Sequence, residues 1–259
     1  MKKKTEKAYF DEQWEGMTTH LKAFIRKGDQ VELHQFRVQV KKLRAMLTLL
    51  DAASPKQRLL KDFKPVREIF KHCGNIRNAY INLQLSVRYH ITNEDFLMGQ
   101  LSKIENETTK FKNKGRKYLK AIKATHKVIR DDLRAINNTW INEFYKTRLG
   151  QISDAFGHLQ FNEELHNCRK QIKTLAYNRK IAQPALDGKL QLNDDYLDKL
   201  QDSIGNWHDN NLAIELLSTT GVTEKPVITR IKRQNTRLKR SITNLSRDFR
   251  KKAILTDKV

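Results

Sequence analysis

The segment at residues 32–44, ELHQFRVQVKKLR, recurs in the second half of the chain at residues 164–176 as ELHNCRKQIKTLA. The two copies align without a gap, and three basic and three apolar positions coincide. The coincident pairs are His34/His166, Arg37/Arg169, Lys41/Lys173, Leu33/Leu165, Val40/Ile172 and Leu43/Leu175. One such segment predicts a basic helix, and two copies in the same register predict an internally duplicated protein.

Both copies have the periodicity of an α-helix. In the first copy, apolar residues recur at steps of three and four and predict one buried stripe, made of Leu33, Phe36, Val40, Leu43, Leu47 and Leu50. Basic residues repeat this spacing one position later, as His34, Arg37, Lys41 and Arg44, and in the second copy as His166, Arg169 and Lys173. Because this basic stripe adjoins the apolar one, we predict that its side chains are partly shielded from water.

The basic stripe is unfavourable for an isolated helix, since like charges three or four residues apart repel by roughly a few tenths of a kcal/mol per pair. No run of Asp or Glu lies close in sequence to compensate for this repulsion. In one interpretation the stripe is a basic flank with salt-bridge partners elsewhere in the fold. The duplication of the stripe favours the other interpretation, in which the cations bind an anion.

The whole chain is strongly basic. Its 259 residues include 51 Lys and Arg against 29 Asp and Glu, which gives a formal charge of +22. Such an excess predicts a polyanionic partner: nucleic acid, an anionic membrane surface or a phosphate polymer. Ten Gly and four Pro are few for this length, and together with scarce β-branched runs they predict an all-α protein.

A second feature is shared by the two halves. Residues 67–86, REIFKHCGNIRNAYINLQLS, align with residues 199–218, KLQDSIGNWHDNNLAIELLS, at a Gly-Asn pair. A glycine inside a helix costs about 1 kcal/mol relative to alanine, so Gly74 and Gly205 predict either a close approach of another helix or a local break. A helix that ends at the glycine is the alternative. Arg77 and His208 follow three residues later, where they can point towards the basic helices.

Other cations are weaker candidates for anion contacts. Between residues 93 and 144, Lys103, Lys110, Lys114 and Lys117 share one helical face. Near the end of the chain, Arg230, Arg233, Arg237, Arg240, Arg247 and Lys251 share another. The latter lie nearly opposite an apolar face that includes Ile231 and Ile242, which is typical of an ordinary surface helix.

Turn-forming residues predict where the helices end. Gly28-Asp29 closes the first helix, Ser54-Pro55 breaks the chain, and Pro65 restarts it. Gly115 is the only interruption predicted between residues 93 and 144. A junction at residues 149–161 separates a first half, 6–149, from a second half, 150–254. Further breaks are predicted at Pro184, Gly188, Gly221 and Pro226, and Asn193 is a predicted N-cap.

Sequence motifs for catalysis are missing. The chain has no GxxxxGK phosphate loop, no HExxH and no GxSxG, and Cys73 and Cys168 have neither CxxC nor Cys/His metal spacing. No window approaches 18 apolar residues, and no signal peptide is evident. We therefore expect a non-catalytic cytoplasmic protein with reduced thiols, no cofactor, no metal and no membrane insertion.

The two H-x-x-R-x-x-x-K helices, the half-length repeat and the G-N-x-(R/H)-(N/D) segments together resemble the CHAD family, the conserved histidine α-helical domain. The resemblance covers essentially all of residues 1–259 as a single domain. It implies two four-helix bundles related by a pseudo-twofold axis, with the basic helices facing a central groove or pore. The implied activity is binding of inorganic polyphosphate, with polyphosphate granules as one location in the cytoplasm.

Carried over position by position, the resemblance implies ligand contacts from His34, Arg37, Lys41, Arg44, His166, Arg169 and Lys173. Arg77 and Asp209 match the Arg-Asp pair that follows the glycine. The halves differ, since Ala176 stands opposite Arg44, His208 replaces the expected Arg, and Asn78 replaces the expected Asp. An asymmetric site is therefore expected, with Lys170 or Lys180 compensating. The alternatives are a nucleic-acid-binding protein and a metal-assisted enzyme that acts on polyphosphate or on phosphorylated metabolites.

Overall fold

The computed structural model describes residues 3–54, 58–186, 190–219 and 225–255. The chain forms two compact units, residues 1–136 and residues 137–259. The described residues are almost all helical, with one two-stranded antiparallel pair. The predicted all-α class is therefore confirmed.

Unit 1, residues 1–136, contains five long helices and one short one in its described part. They are α1 (Lys3–Lys27), α2 (Gln30–Ala53), α3 (Leu59–Asp62), α4 (Lys64–Tyr89), α5 (Glu94–Asn113) and α6 (Gly115–Asp132). Helix α2 packs against both α1 and α4, and α5 packs against α4. The first basic segment therefore lies on α2 and the first Gly-Asn pair on α4.

The predicted helix ends in unit 1 agree with the structure. Gly28, with φ of 80°, adopts the left-handed conformation directly after α1. The Asp29 carboxylate accepts a hydrogen bond of 2.8 Å from the backbone N–H of Val31 and caps α2. Pro65 lies in the first turn of α4, where its missing N–H leaves no helical hydrogen bond unmade. Pro55 lies outside the described residues.

The apolar stripe of α2 is buried as predicted. Each of its six residues is at most 3% exposed, namely Leu33, Phe36, Val40, Leu43, Leu47 and Leu50. Complete burial of one such side chain contributes about 1.5–3 kcal/mol. The rotation of α2 about its own axis is thereby set, and with it the direction of the basic stripe.

The prediction of a single interruption between residues 93 and 144 is wrong. Helix α6 ends at Asp132, and the backbone is non-helical from residue 133 to residue 137. Leu133 and Ile136 are buried there, and the Ile136 N–H donates to the carboxylate of Glu6, which is 0% exposed, at 3.1 Å. This contact joins residues far apart in sequence, so no local turn signal announces it.

Unit 2, residues 137–259, contains four long helices and one short one in its described part. These are α7 (Asn138–Gly157), α8 (Glu163–Leu186), α9 (Asp194–Thr219), α10 (Lys225–Ser246) and α11 (Phe249–Ala253). Strand β1 (Gln191–Leu192) pairs with β2 (Ile254–Leu255). The second basic segment lies on α8 and the second Gly-Asn pair on α9.

Several predicted breaks in unit 2 differ from the structure. Pro184 lies inside the last turns of α8 and does not end it. Helix α7 continues through residues 149–157 of the predicted junction, and the boundary between the units lies earlier, at residues 136 and 137. A Cβ atom at Gly150 would meet no atom within 4 Å, so this glycine is not required by a turn or a close contact. Gly188 and Gly221 lie outside the described residues.

Two buried hydrogen bonds fix α7 against α8. The Tyr145 hydroxyl donates to the Leu175 carbonyl at 2.9 Å, and the Asn142 amide donates to the Ala185 carbonyl at 2.6 Å. Asn193 caps α9 as predicted, since its side chain accepts from the Tyr196 N–H at 3.2 Å. Pro226 is the second residue of α10. No described helix is both long enough and apolar enough to cross a membrane.

Candidate anion-binding site

Arg37 joins α2 to α4 in unit 1. Its Nη1 donates a hydrogen bond of 2.8 Å to the backbone carbonyl of Phe70, and its guanidinium carbon lies 4.0 Å from the centre of the Phe70 ring. Burial lowers the pKa of Arg37, the Cys73 thiol opposes that shift, and Arg77 lowers the pKa further. The Arg37 guanidinium is therefore held in a half-buried position against the carbonyl and the ring of Phe70.

Arg169 makes the corresponding contact in unit 2, between α8 and α9. Its Nε donates to the backbone carbonyl of Gln201 at 2.9 Å. The side chain of Arg169 also packs over Gly205, because a Cβ atom placed there would lie 2.7 Å from Nη2. The same construction at Gly74 places a Cβ atom 3.5 Å from Nη1 of Arg37.

The predicted close approach of another helix is not what the glycines show: the atoms nearest to a Cβ atom at Gly205 belong to the Arg169 side chain, and at Gly74 the contact with Arg37 is of ordinary length. Helices α4 and α9 run without a break through Gly74 and Gly205. The alternatives of a local break and of a helix that ends at the glycine are therefore wrong. The approaching group is in each unit the arginine of the basic segment, which sequence reasoning had assigned to the anion.

His166 and His208 form a stacked pair in unit 2. Their ring centres lie 4.2 Å apart with an interplanar angle of 27°, so His208 points towards the basic helix as expected. Burial lowers the pKa of His166, and His208, Lys170 and Arg169 lower it further, while Glu163 raises it. The Glu163 carboxylate also forms an ion pair of 3.0 Å with Lys170. The pair therefore lies in a predominantly cationic environment.

Lys173, on α8, is half-buried and lies in the field of carboxylates from α9. Burial lowers its pKa and Arg169 adds to that shift, whereas three carboxylates of α9 raise it. These carboxylates belong to Asp202, Asp198 and Asp209. The sequence match of Asp209 to the Arg-Asp pair therefore places a carboxylate within electrostatic range of Lys173.

The basic stripe on α2 is less shielded than predicted. His34, Lys41 and Arg44 are exposed, whereas Arg37 is half-buried. Only Arg37 of this stripe lies beside Gly74 of α4, where an added Cβ atom would make an ordinary contact with it. Arg77 on α4 is also half-buried, and its guanidinium carbon lies 5.2 Å from the centre of the Tyr80 ring. Burial is the main cause of the lowered pKa of Arg77.

The other predicted cations lie elsewhere on the two units. Lys110 forms an ion pair of 2.8 Å with Glu107, and Lys114 is an exposed residue at the end of α5. The candidates on α10 are all exposed, and the opposite apolar residues Ile231 and Ile242 are buried. These α10 candidates are Arg230, Arg233, Arg237 and Arg240. This arrangement confirms that α10 is a basic surface helix.

Sequence reasoning missed a polar network in unit 1. His72 Nδ1 lies 2.7 Å from the Tyr118 hydroxyl, and His72 Nε2 lies 3.4 Å from the Glu107 carboxylate. A hydrogen bond from Lys110 is the main cause of the lowered pKa of Glu107, and Asn75 also contributes. Three different helices supply these residues, so no sequence spacing reveals the network. Within the part of the chain that the structure describes, no three His, Cys, Asp or Glu residues are grouped to hold a metal ion.

Comparison with known protein families assigns the chain to a family. The sequence profile of the CHAD domain matches residues 8–218, which is most of the chain. The chain belongs to the CHAD family. The resemblance that rested on the basic helices and the Gly-Asn segments is therefore confirmed.

The CHAD fold is also supported by a solved structure. The crystal structure of the CHAD domain from the plant Ricinus communis aligns with a TM-score of 0.65 at 16% sequence identity. The alignment covers 95% of this chain and 91% of the plant chain. At this identity the likeness concerns the fold alone. No curated protein matches the chain.

Proposed function

We propose that this CHAD domain binds inorganic polyphosphate without chemical conversion, through the cations of α2 and α4 in unit 1 and of α8 and α9 in unit 2. The observation that carries the proposal is that basic side chains from two helices lie together in each unit. In unit 1 Arg37 of α2 lies beside Gly74 of α4, and Arg77 follows that glycine by three residues, about one helical turn. In unit 2 His166 and His208 stack beside Lys170 and Arg169.

Such convergence is unfavourable in the absence of an anion. Burial removes water from guanidinium and imidazolium groups, and neighbouring cations add repulsion. A phosphate group relieves both effects, because its oxygens accept charge-assisted hydrogen bonds from Arg and Lys. Polyphosphate carries a negative charge on every internal phosphate, so one flexible chain can contact several cations at once.

The proposed contacts differ in exposure. His34, Lys41 and Arg44 present exposed cationic or titratable groups along α2, and Lys170 does so on α8. Arg37, Arg77, Arg169, Lys173, His166 and His208 are half-buried or partly exposed beside them. The exposed cations of α10 and of α5 supply long-range attraction rather than a shaped site. Ala176 and His208 leave unit 2 with fewer permanent charges than unit 1.

We also propose that the two units descend from one duplicated unit. Support comes from the aligned basic segments and from the arginine-to-carbonyl hydrogen bond that both units share. The expectation of a groove common to both basic helices stays a prediction.

A charge-reversal experiment tests the site. Lys41→Glu with Arg44→Glu changes two exposed residues of α2, and Arg233→Glu with Arg237→Glu makes the same change in charge on α10. We expect the α2 variant to lose at least about tenfold in affinity for polyphosphate of defined length, and the α10 variant to lose much less. Isothermal titration calorimetry at fixed salt measures both, and circular dichroism checks helicity. Equal losses would contradict a shaped site on α2.

Competition and product assays separate the alternatives. DNA and polyphosphate are compared as competitors at equal phosphate concentration, and equal potency would favour a general nucleic-acid binder. The basic helices carry few aromatic residues between their cations, which disfavours base stacking. Release of phosphate from polyphosphate in the presence of magnesium or manganese would instead identify an enzyme.

A further inference from the structure

The two units share an arrangement of an arginine, a carbonyl and a glycine. Arg37 donates to the carbonyl of Phe70, and Arg169 donates to that of Gln201. Each carbonyl belongs to the residue four positions before the glycine. In an α-helix that carbonyl already accepts the N–H of the glycine itself, so the arginine supplies a second donor to the same oxygen.

The glycine makes room for the guanidinium in unit 2. A Cβ atom at position 205 would lie 2.7 Å from Nη2, 2.9 Å from Nε and 3.0 Å from Cζ of Arg169. These distances are shorter than atoms of two side chains tolerate, so any other residue would displace the guanidinium. Gly205 is buried in the middle of a helix, where glycine is otherwise unfavourable by about 1 kcal/mol.

We propose that Arg37 and Arg169 are positioning residues, each of which seats its guanidinium against the glycine of the neighbouring helix and fixes the register of the two helices that carry the site. Each guanidinium has five N–H donors and gives one of them to the carbonyl, so its other donors remain for the anion. The identity of the anion rests on the proposed function, whereas the arginine contact itself needs no ligand.

The register has a direct consequence for the histidine pair. His166 precedes Arg169 by three residues and stacks on His208, which follows Gly205 by three residues. The histidine contact and the contact of Arg169 with Gly205 therefore lie about one helical turn apart on each helix. Their order along α8 is the reverse of their order along α9, so the two helices run in opposite directions. A slip of one residue moves a helix by about 1.5 Å along its axis and would disturb both contacts together.

Lysine cannot replace arginine in this role. The guanidinium has several N–H groups in a fixed plane, so Arg169 donates through Nε while Nη2 lies over the glycine. Lysine keeps the charge but has one flexible ammonium group and no donor at the Nε position. Arg169→Lys therefore removes the hydrogen bond that positions the side chain while it keeps the positive charge.

The first test uses Arg169→Lys in the full chain, with Arg250→Lys, at an exposed position of α11 outside the proposed site, as the matched control. We expect Arg169→Lys to lower the urea midpoint, to change the NMR titration of His166, and to weaken polyphosphate binding several-fold although no charge is lost. The control should change none of the three. If Arg169→Lys has the same urea midpoint and the same His166 titration as the wild-type protein, the proposal is overturned.

The second test is a double-mutant cycle with Gly205→Ala. Alanine should lower the urea midpoint in the wild-type background and should leave it unchanged or raise it in the Arg169→Lys background. The cycle of Arg37→Lys with Gly74→Ala provides a comparison in unit 1, where the 3.5 Å distance predicts weak coupling. Equal effects of Gly205→Ala in both backgrounds would refute the arginine contact. If the wild-type protein does not bind polyphosphate, the proposed function is refuted. The double-mutant cycles are measured without ligand, so they would still test the arginine contact.

Discussion

Alanine at Gly205 should destabilise the protein, whereas alanine at Gly74 should stabilise it. In an unhindered helix, alanine is favoured over glycine by about 0.8–1 kcal/mol. At position 74 the new Cβ atom lies 3.5 Å from Arg37, which is an ordinary contact, so this gain is retained. At position 205 it lies 2.7 Å from Nη2 of Arg169, so the guanidinium must move.

The expected magnitude at position 205 follows from the hydrogen bond that is lost. Arg169 gives up its 2.9 Å bond to the Gln201 carbonyl, and a hydrogen bond from a charged group contributes about 1.5–3 kcal/mol. Subtracting the gain in helix propensity leaves a net destabilisation of about 0.5–2 kcal/mol. The two alanine variants should therefore differ by roughly 1.5–3 kcal/mol in free energy of unfolding.

Urea denaturation followed by far-ultraviolet circular dichroism measures this difference, with reversibility checked by dilution. A chain of 150–250 residues changes its melting temperature by about 2–4 °C per kcal/mol, so thermal melts give a second measurement. Stabilisation by both alanines, or destabilisation of equal size by both, would refute the reasoning from the two Cβ distances.

Two further perturbations act on titratable groups. Burial lowers the pKa of His166 in the folded protein below its value in the unfolded chain. The folded state therefore keeps its full stability while the ring is neutral, at pH values above the unfolded pKa. This stability is lost as the pH falls through the pKa of the folded state. His166→Gln should flatten the fall of the urea midpoint between about pH 7 and 5, and an unchanged slope would contradict this assignment. A bound anion favours the protonated ring, so calorimetry near about pH 6.5 in buffers of different ionisation enthalpy should detect proton uptake that His166→Gln reduces. Glu6→Ala leaves the buried N–H of Ile136 without its carboxylate acceptor and should cost about 1–3 kcal/mol in urea denaturation, whereas Glu6→Gln keeps an acceptor and should cost less.

The helical architecture of both basic segments could be predicted from the sequence because helix burial is periodic. The six apolar positions of α2 recur at helical spacing, and all six are buried. The cap at Asn193 could be predicted for a similar reason, since a short polar side chain bonds to the backbone of the first turn that follows it. These features depend on residues a few positions apart.

The end of α6 and the roles of the site residues depended on residues far apart. Glu6 accepts the N–H of Ile136, and no local pattern marks residue 133 as the end of a helix. The His72 network likewise joins three helices. Packing between distant segments therefore decided these features, although each participating residue is ordinary in its local sequence.

Arg37 and Arg169 show most clearly what the sequence determines and what the tertiary structure determines. The repeated sequence by itself determined that Arg37 and Arg169 occupy equivalent helical positions beside an apolar stripe, and that each half has a glycine in another helix. Only the tertiary structure decided that each guanidinium lies against that glycine and donates to a carbonyl four residues before it. The physical reason is that helical periodicity fixes the direction of a side chain, whereas the partner it meets depends on how the helices pack.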